Sequence, residues 1–157
     1  MVRLRRGALA EFILWGTMTL STVQPADASF TRFIQQQRIE ETTKASEDQF
    51  GESVAVWENT ALIGAPGGDD SGNNSGAVYV FTRDAQARWR EEQKLTARGG
   101  AADALFGAAL GLHDNVAVIG ARGDNTKGSF AGAVYIFRRD ETGAWNEAQK
   151  LLASDGA

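Results

Sequence analysis

Few residues of this chain are of a kind that does covalent chemistry. Cysteine is absent and His113 is the single histidine, so a thiol nucleophile, a thiolate metal site and a disulfide framework are excluded together. A Ser-His-acid triad would have to be built around His113. That residue lies beside a turn, at a position where another stretch of the chain carries Trp57, and it reads as a surface residue. Polar side chains instead gather in two loops. The first holds Asp69, Asp70, Asn73 and Asn74, the residue types of a loose cation or ligand loop. The second holds Arg122, Asp124 and Asn125, and Arg122-Gly123-Asp124 spells a tripeptide bound by cell-adhesion receptors. Tripeptides recur by chance, and the paired acid of the first loop is missing from the second, which favours solvated turns over a metal site. These seven side chains are the candidates for partner contact. No catalytic, cofactor-binding or metal-binding residue is expected.

Composition narrows the partners further. The net charge is −4, and no Lys/Arg cluster lies beyond the first six residues, so a nucleic-acid partner is not expected. Residues 1–28 read as a signal peptide. Arg3, Arg5 and Arg6 precede the apolar stretch Gly7 to Val23, and Ala26-Asp27-Ala28 supplies a small-x-small cleavage pattern. Glu11 is a charge within that stretch, and an uncleaved membrane anchor is the alternative. After cleavage no membrane span is expected, and the chain is expected to be exported to the periplasm, the cell surface or the extracellular space.

The elements that position the loops are set by a tandem repeat. Phe50-Gly51 recurs as Phe106-Gly107, Ile63-Gly64-Ala65 as Ile119-Gly120-Ala121, and Trp89 as Trp145. Gly76-Ala77-Val78-Tyr79-Val80-Phe81 recurs as Gly132-Ala133-Val134-Tyr135-Ile136-Phe137, and Gln93-Lys94-Leu95 as Gln149-Lys150-Leu151. Every offset is 56 residues. Phe33, Gln37, Arg38 and Ile39 form a partial third copy upstream. Each unit reads as four short strands, about Ser53–Trp57, Thr60–Gly64, Ala77–Thr82 and Trp89–Leu95 in the first. A two-residue turn, Glu58-Asn59 or Asp114-Asn115, joins the first pair, with asparagine supplying the positive φ. The third strand is an unbroken apolar run that must be covered on both faces. The fourth alternates, with Trp89, Glu91, Gln93 and Leu95 expected on one face. Four antiparallel strands around a doubly buried strand is the pattern of a propeller blade, which needs neighbouring blades to cover it.

Phe50-Gly51 followed by Ile63-Gly64-Ala65-Pro66 resembles the FG-GAP repeat of integrin α-subunit propellers. The Gly-Ala-Val-Tyr-Val-Phe run, the single Trp, Gln-Lys-Leu and the closing residues 153–157 are similar to its bacterial extracellular branch. The resemblance implies an all-β fold: a partial β-propeller with two full four-stranded antiparallel blades plus the outer strand of a preceding blade. The domains are then a signal peptide over 1–28, that outer strand over 29–46, and blades over 47–101 and 102–157. Integrin-type repeats often hold calcium in the first hairpin. Here the hairpin is shortened to Trp57-Glu58-Asn59-Thr60 and cannot supply six to eight oxygens, so the calcium site is not carried over.

The function expected is a non-catalytic exported scaffold for protein or carbohydrate binding or adhesion, within a longer repeat array. Loops Gly67–Ser75 and Gly123–Ala131 would make the contacts, and uncovered blade faces would allow self-association. The alternatives are an accessory domain of an exported hydrolase, or a truncated remnant without function.

Overall fold

The structure, a computed structural model, describes residues 35–40 and 47–154. The signal-peptide reading over 1–28, Phe33 and the last three residues lie outside the described residues. Eight strands succeed one another, with no helix among the described residues: β1 Val54–Trp57, β2 Thr60–Ala65, β3 Ala77–Arg83, β4 Trp89–Leu95, β5 Phe106–His113, β6 Val116–Ala121, β7 Ala133–Arg139 and β8 Trp145–Leu151. They form two four-stranded sheets, ordered β1-β2-β3-β4 and β5-β6-β7-β8. All pairings are antiparallel. The chain is thus all-β, with two successive blades of a partial propeller. Residues 35–40 form no ladder of their own, although the Gln37 side chain reaches the backbone of Trp89 in blade 1.

Each β1–β2 and β5–β6 hairpin closes on two residues, because Trp57 pairs with Thr60 and His113 with Val116. The positive φ falls on the first of the two, Glu58 and Asp114 at 50° each, and not on the asparagine. Asn59 does other work. Its carbonyl accepts from the Arg83 N–H at 2.8 Å, and its side-chain oxygen accepts from the Arg83 guanidinium. Asparagine therefore ties the turn to the end of β3.

The fourth strand departs from simple alternation. Val80 pairs with Gln93 but Phe81 pairs with Glu91, so Glu92 bulges; β8 slips at the same place. A one-residue slip turns every later side chain to the opposite face. Trp89 and Leu95, expected on one face, therefore lie on opposite faces. Trp89 packs with Ala61, Ile63, Tyr79 and Phe81, and Leu95 packs with Leu62, Val78 and Val80.

Each blade accordingly has a leading face, turned toward the preceding unit, and a trailing face, turned toward the next. The larger core lies between the blades. Leu62, Val78, Val80 and Leu95 on the trailing face of blade 1 meet Phe106, Ile119, Tyr135, Phe137 and Trp145 on the leading face of blade 2. Glycine allows this approach. A Cβ on Gly64 would lie 2.2 Å from the Gly107 carbonyl oxygen, and one on Gly76 2.2 Å from that of Phe106.

Candidate functional site

The two candidate loops are the β2–β3 and β6–β7 connections, so both leave the same end of their blades. They share a backbone frame. In the first, Asp69 Oδ1 accepts from the Asn74 N–H at 2.7 Å. In the second, Asn125 Oδ1 accepts from the Phe130 N–H, also at 2.7 Å. Asn74 and Phe130 both take positive φ, 51° and 54°. A short polar side chain thus pins the loop five residues on, an arrangement that Asp and Asn favour.

On this frame the side chains differ. Asp70 pairs with Lys94, whose ammonium also lies over the Tyr79 ring. Asp48 is buried nearby. Burial raises its carboxyl above the ordinary value; Lys94 opposes the rise, and Asp69 and Asp70 add to it. Asn73 and Asn74 serve the blade junction: their carbonyls accept from the N–H groups of Asp103 and Leu105 at 2.7 and 3.0 Å. The Asn74 side chain also donates to Asp103 Oδ1. Ser75 is buried and donates to the Gly68 carbonyl.

In blade 2 the acid has moved two positions earlier in the loop. Asp124 is 6% exposed and accepts from Tyr135 Oη at 2.9 Å and from Lys150 Nζ at 2.7 Å. Burial opposes its ionisation, but the Lys150 ammonium, the Thr126 donors and the Tyr135 hydroxyl hold its pKa at about 2. In blade 1 the same position is Gly68, and among the described residues the buried Tyr79 hydroxyl has no hydrogen-bond partner of good geometry. Both placements neutralise the repeated lysine, and the second also gives the tyrosine a carboxylate acceptor.

Arg122-Gly123-Asp124 is consequently not presented as a tripeptide. Arg122 is exposed, but Gly123 and Asp124 are buried, and a Cβ on Gly123 would lie 1.9 Å from the Asp103 carbonyl oxygen. Burial and ion pairing remove Asp124 from the contact candidates. Asp69, Asp70, Asn73, Arg122 and Asn125 remain at the surface and Asn74 is half-buried. The residue that sequence reasoning passed over is Phe130, 70% exposed on its pinned loop beside exposed Lys127. The signal was its alignment with Asn74, an aromatic in a place that otherwise holds a polar turn residue. His113 stacks on Trp57, ring centroids 4.2 Å apart, which joins the innermost strands of the two blades. Among the described residues no group of three or more His, Asp or Glu side chains could hold a metal ion.

A glutamine clamp recurs between units. Gln93 Nε2 donates to the Trp145 carbonyl and Gln93 Oε1 accepts from the Trp145 N–H, both at 2.8 Å. Gln37 makes the same pair of bonds to Trp89, at 2.9 and 2.8 Å. A primary amide presents one donor and one acceptor side by side, so it imitates a backbone ladder step. Gln37 thus makes toward Trp89 the bonds that Gln93 makes toward Trp145; the outer strand expected over 29–46 lies in part outside the described residues, and its described part, 35–40, forms no strand.

No curated protein matches the chain. A family model described as FG-GAP repeat matches residues 33–81 and again 89–137. The second match begins at the first residue of β4 and ends within β7, so each match takes in the Gln clamp, the Phe-Gly and the apolar third strand. Together the two matches span more than half of the chain, which belongs to the FG-GAP repeat family.

Proposed function

We propose that the chain is a non-catalytic, exported propeller scaffold that presents its β2–β3 and β6–β7 loops to a protein or carbohydrate partner. One observation carries the reading: two loops of identical backbone frame, pinned by Asp69 and Asn125, display different side chains from the same end of the blades. The first shows acids and amides, and the second shows Lys127 and Phe130. Function on variable loops held by a rigid scaffold is the general pattern, and exposed aromatic and basic side chains are frequent binding anchors. Export is supported by the basic, apolar and small-residue succession over residues 3–28 and by the family, whose repeats are typical of extracellular proteins. No helix among the described residues is long and apolar enough to cross a membrane.

The test is binding of the full chain to a glycan array and to immobilised cell-surface protein, repeated with Lys127→Ala/Phe130→Asn and with Asp70→Asn/Asn73→Ala, which leave the pinning side chains Asp69 and Asn125 in place. Loss of a wild-type signal in either loop variant, with the far-UV circular dichroism unchanged, supports the reading. A signal that both variants retain sinks it.

A further inference from the structure

The bases of the two candidate loops share one backbone arrangement but place their acids differently. In blade 1 the Asp48 carbonyl accepts from the Gly67 N–H at 3.1 Å, and in blade 2 the Ala104 carbonyl accepts from the Gly123 N–H at 3.0 Å. Asp48 and Ala104 stand one period apart, and both are buried, at 8% and 1% exposure. The second blade therefore shows that a small apolar side chain is enough for packing at this position. A Cβ on Gly67 would lie 2.1 Å from the Glu47 carbonyl oxygen. The chain entering β1 and the loop leaving β2 are thus in close contact, and the Asp48 backbone has little room to turn its carboxyl outward.

Its surroundings make charge on that carboxyl unfavourable. Among the described residues the Asp48 side chain accepts no hydrogen bond and forms no ion pair. The charged and titratable groups that face it there are Lys94 from β4 and Asp69 and Asp70 from the β2–β3 connection, with Tyr79 of β3 beneath the Lys94 ammonium. Lys94 already pairs with Asp70, and Asp69 is engaged by the Asn74 N–H. Three acids thus share one cation, whereas in blade 2 one acid, Asp124, pairs with one cation, Lys150. A buried carboxyl without hydrogen bonds favours its neutral form, and like charges nearby strengthen that preference. Burial is the largest cause at Asp48, and Lys94 opposes it only in part.

We propose that Asp48 is an acid-responsive clasp at the base of the β2–β3 loop: it binds a proton as the medium acidifies, and the loop is then held more firmly to the chain entering β1. Proton linkage fixes the direction. A carboxyl raised in the folded chain contributes its stability in full below the ordinary value, near 4, and that contribution is lost as pH rises through the raised value. Asp124 works in the opposite direction and in another window. Its carboxyl is held at about 2, so its contribution is lost only as pH falls toward that value. Mild acid therefore firms the first loop and leaves the second unchanged. The response belongs to the loop itself and is read without a partner.

Amide exchange on the full chain tests this at two matched reporters, the Gly67 N–H bonded to Asp48 and the Gly123 N–H bonded to Ala104. After correction for the intrinsic pH dependence of exchange, protection at Gly67 should rise several-fold between about pH 7 and about pH 5. The ceiling is about tenfold for each unit by which the carboxyl stands above its ordinary value. Protection at Gly123 should not change over that range. Asp48→Asn keeps the shape of the neutral carboxyl and should hold Gly67 at its acid level of protection throughout. Asp48→Ala, which installs the side chain of Ala104, should also abolish the pH dependence. The carboxyl carbon resonance of Asp48 in the wild-type chain is a check that needs no substitution, and its titration midpoint should lie above that of an ordinary carboxyl. A midpoint at or below the ordinary value, a Gly67 response that survives in Asp48→Asn, or equal responses at Gly67 and Gly123 would each overturn the proposal.

Discussion

Leu95 and Leu151 occupy the same place in successive units, at the end of strands with the same pairing. One is 2% exposed and the other 42%. The difference lies in neither the residue nor its strand but in whether another Phe-Gly edge lies across the trailing face. A blade is therefore a half-finished object whose energetics depend on the unit packed against its trailing face. Identical substitutions in the two units measure that dependence.

The sharpest contrast is at the glycines. Gly64→Ala drives a methyl group into the Gly107 backbone, and overpacking of this kind costs about 3 kcal/mol. Gly120→Ala meets Ala109 alone, its Cβ at 3.2 Å and its backbone no closer than 3.7 Å, and should change stability by no more than about 1 kcal/mol. Urea midpoints of the two variants, at concentrations that keep the chain monomeric, decide it; equal losses would break the comparison. Next come the leucines. Leu95→Ala opens a cavity in the inter-blade core and should cost roughly 3 kcal/mol, whereas Leu151→Ala should cost about 1 kcal/mol because little transfer from water is undone. The glutamines rank third. Gln93→Ala leaves the Trp145 N–H and carbonyl without their clamp, a loss of about 1 to 2 kcal/mol. Gln149 is exposed, and Gln149→Ala should be neutral within about 0.5 kcal/mol for a surface position. Amide exchange at Trp145 is the direct readout for the first.

The gentlest test is a pH profile. The Asp124 pKa, held at about 2, lies below the ordinary carboxyl value near 4. Its contribution is therefore present in full above that ordinary value and is lost as pH falls toward 2. Asp124→Asn should flatten this acid limb in a thermal-melting series from pH 5 to 2. An unchanged limb would show that the Lys150–Asp124–Tyr135 cluster does not distinguish blade 2 from blade 1 in solution.

Much of the fold was legible because the repeat displays it twice. Fixed spacing located the strands of the first unit to within a residue, although β5 begins at Phe106, three residues before the offset places it, and the apolar third strand announced a buried centre. The fourth strand was misread because a β-bulge leaves no mark in alternation: Glu92 looks like any other charged outer residue, yet it moves Trp89 and Leu95 to opposite faces. The turns were half legible. Their length could be read from Glu58-Asn59, but the positive φ fell on Glu58 because Asn59 is held by Arg83, a partner 24 residues away. At the candidate loops, residue type suggested that Asp124 faces a ligand. Its burial is due to Tyr135 and Lys150, which reach it only once β7 and β8 are in place. Phe130 escaped notice because interest in the loops tracked polarity rather than the exception to it.

The Gln clamp has a consequence for how such a gene can grow. The second family match begins in β4, the strand that ends blade 1, and finishes in β7, the third strand of blade 2, so the unit of sequence and the unit of structure are out of phase. A duplication of one period can then begin at any codon and still yield a whole blade. The new glutamine meets the new tryptophan, and the flanking copies keep their own. Recombination needs to preserve only the length of the repeat, not its boundaries, and blade number can change without an intermediate in which a sheet is missing a strand.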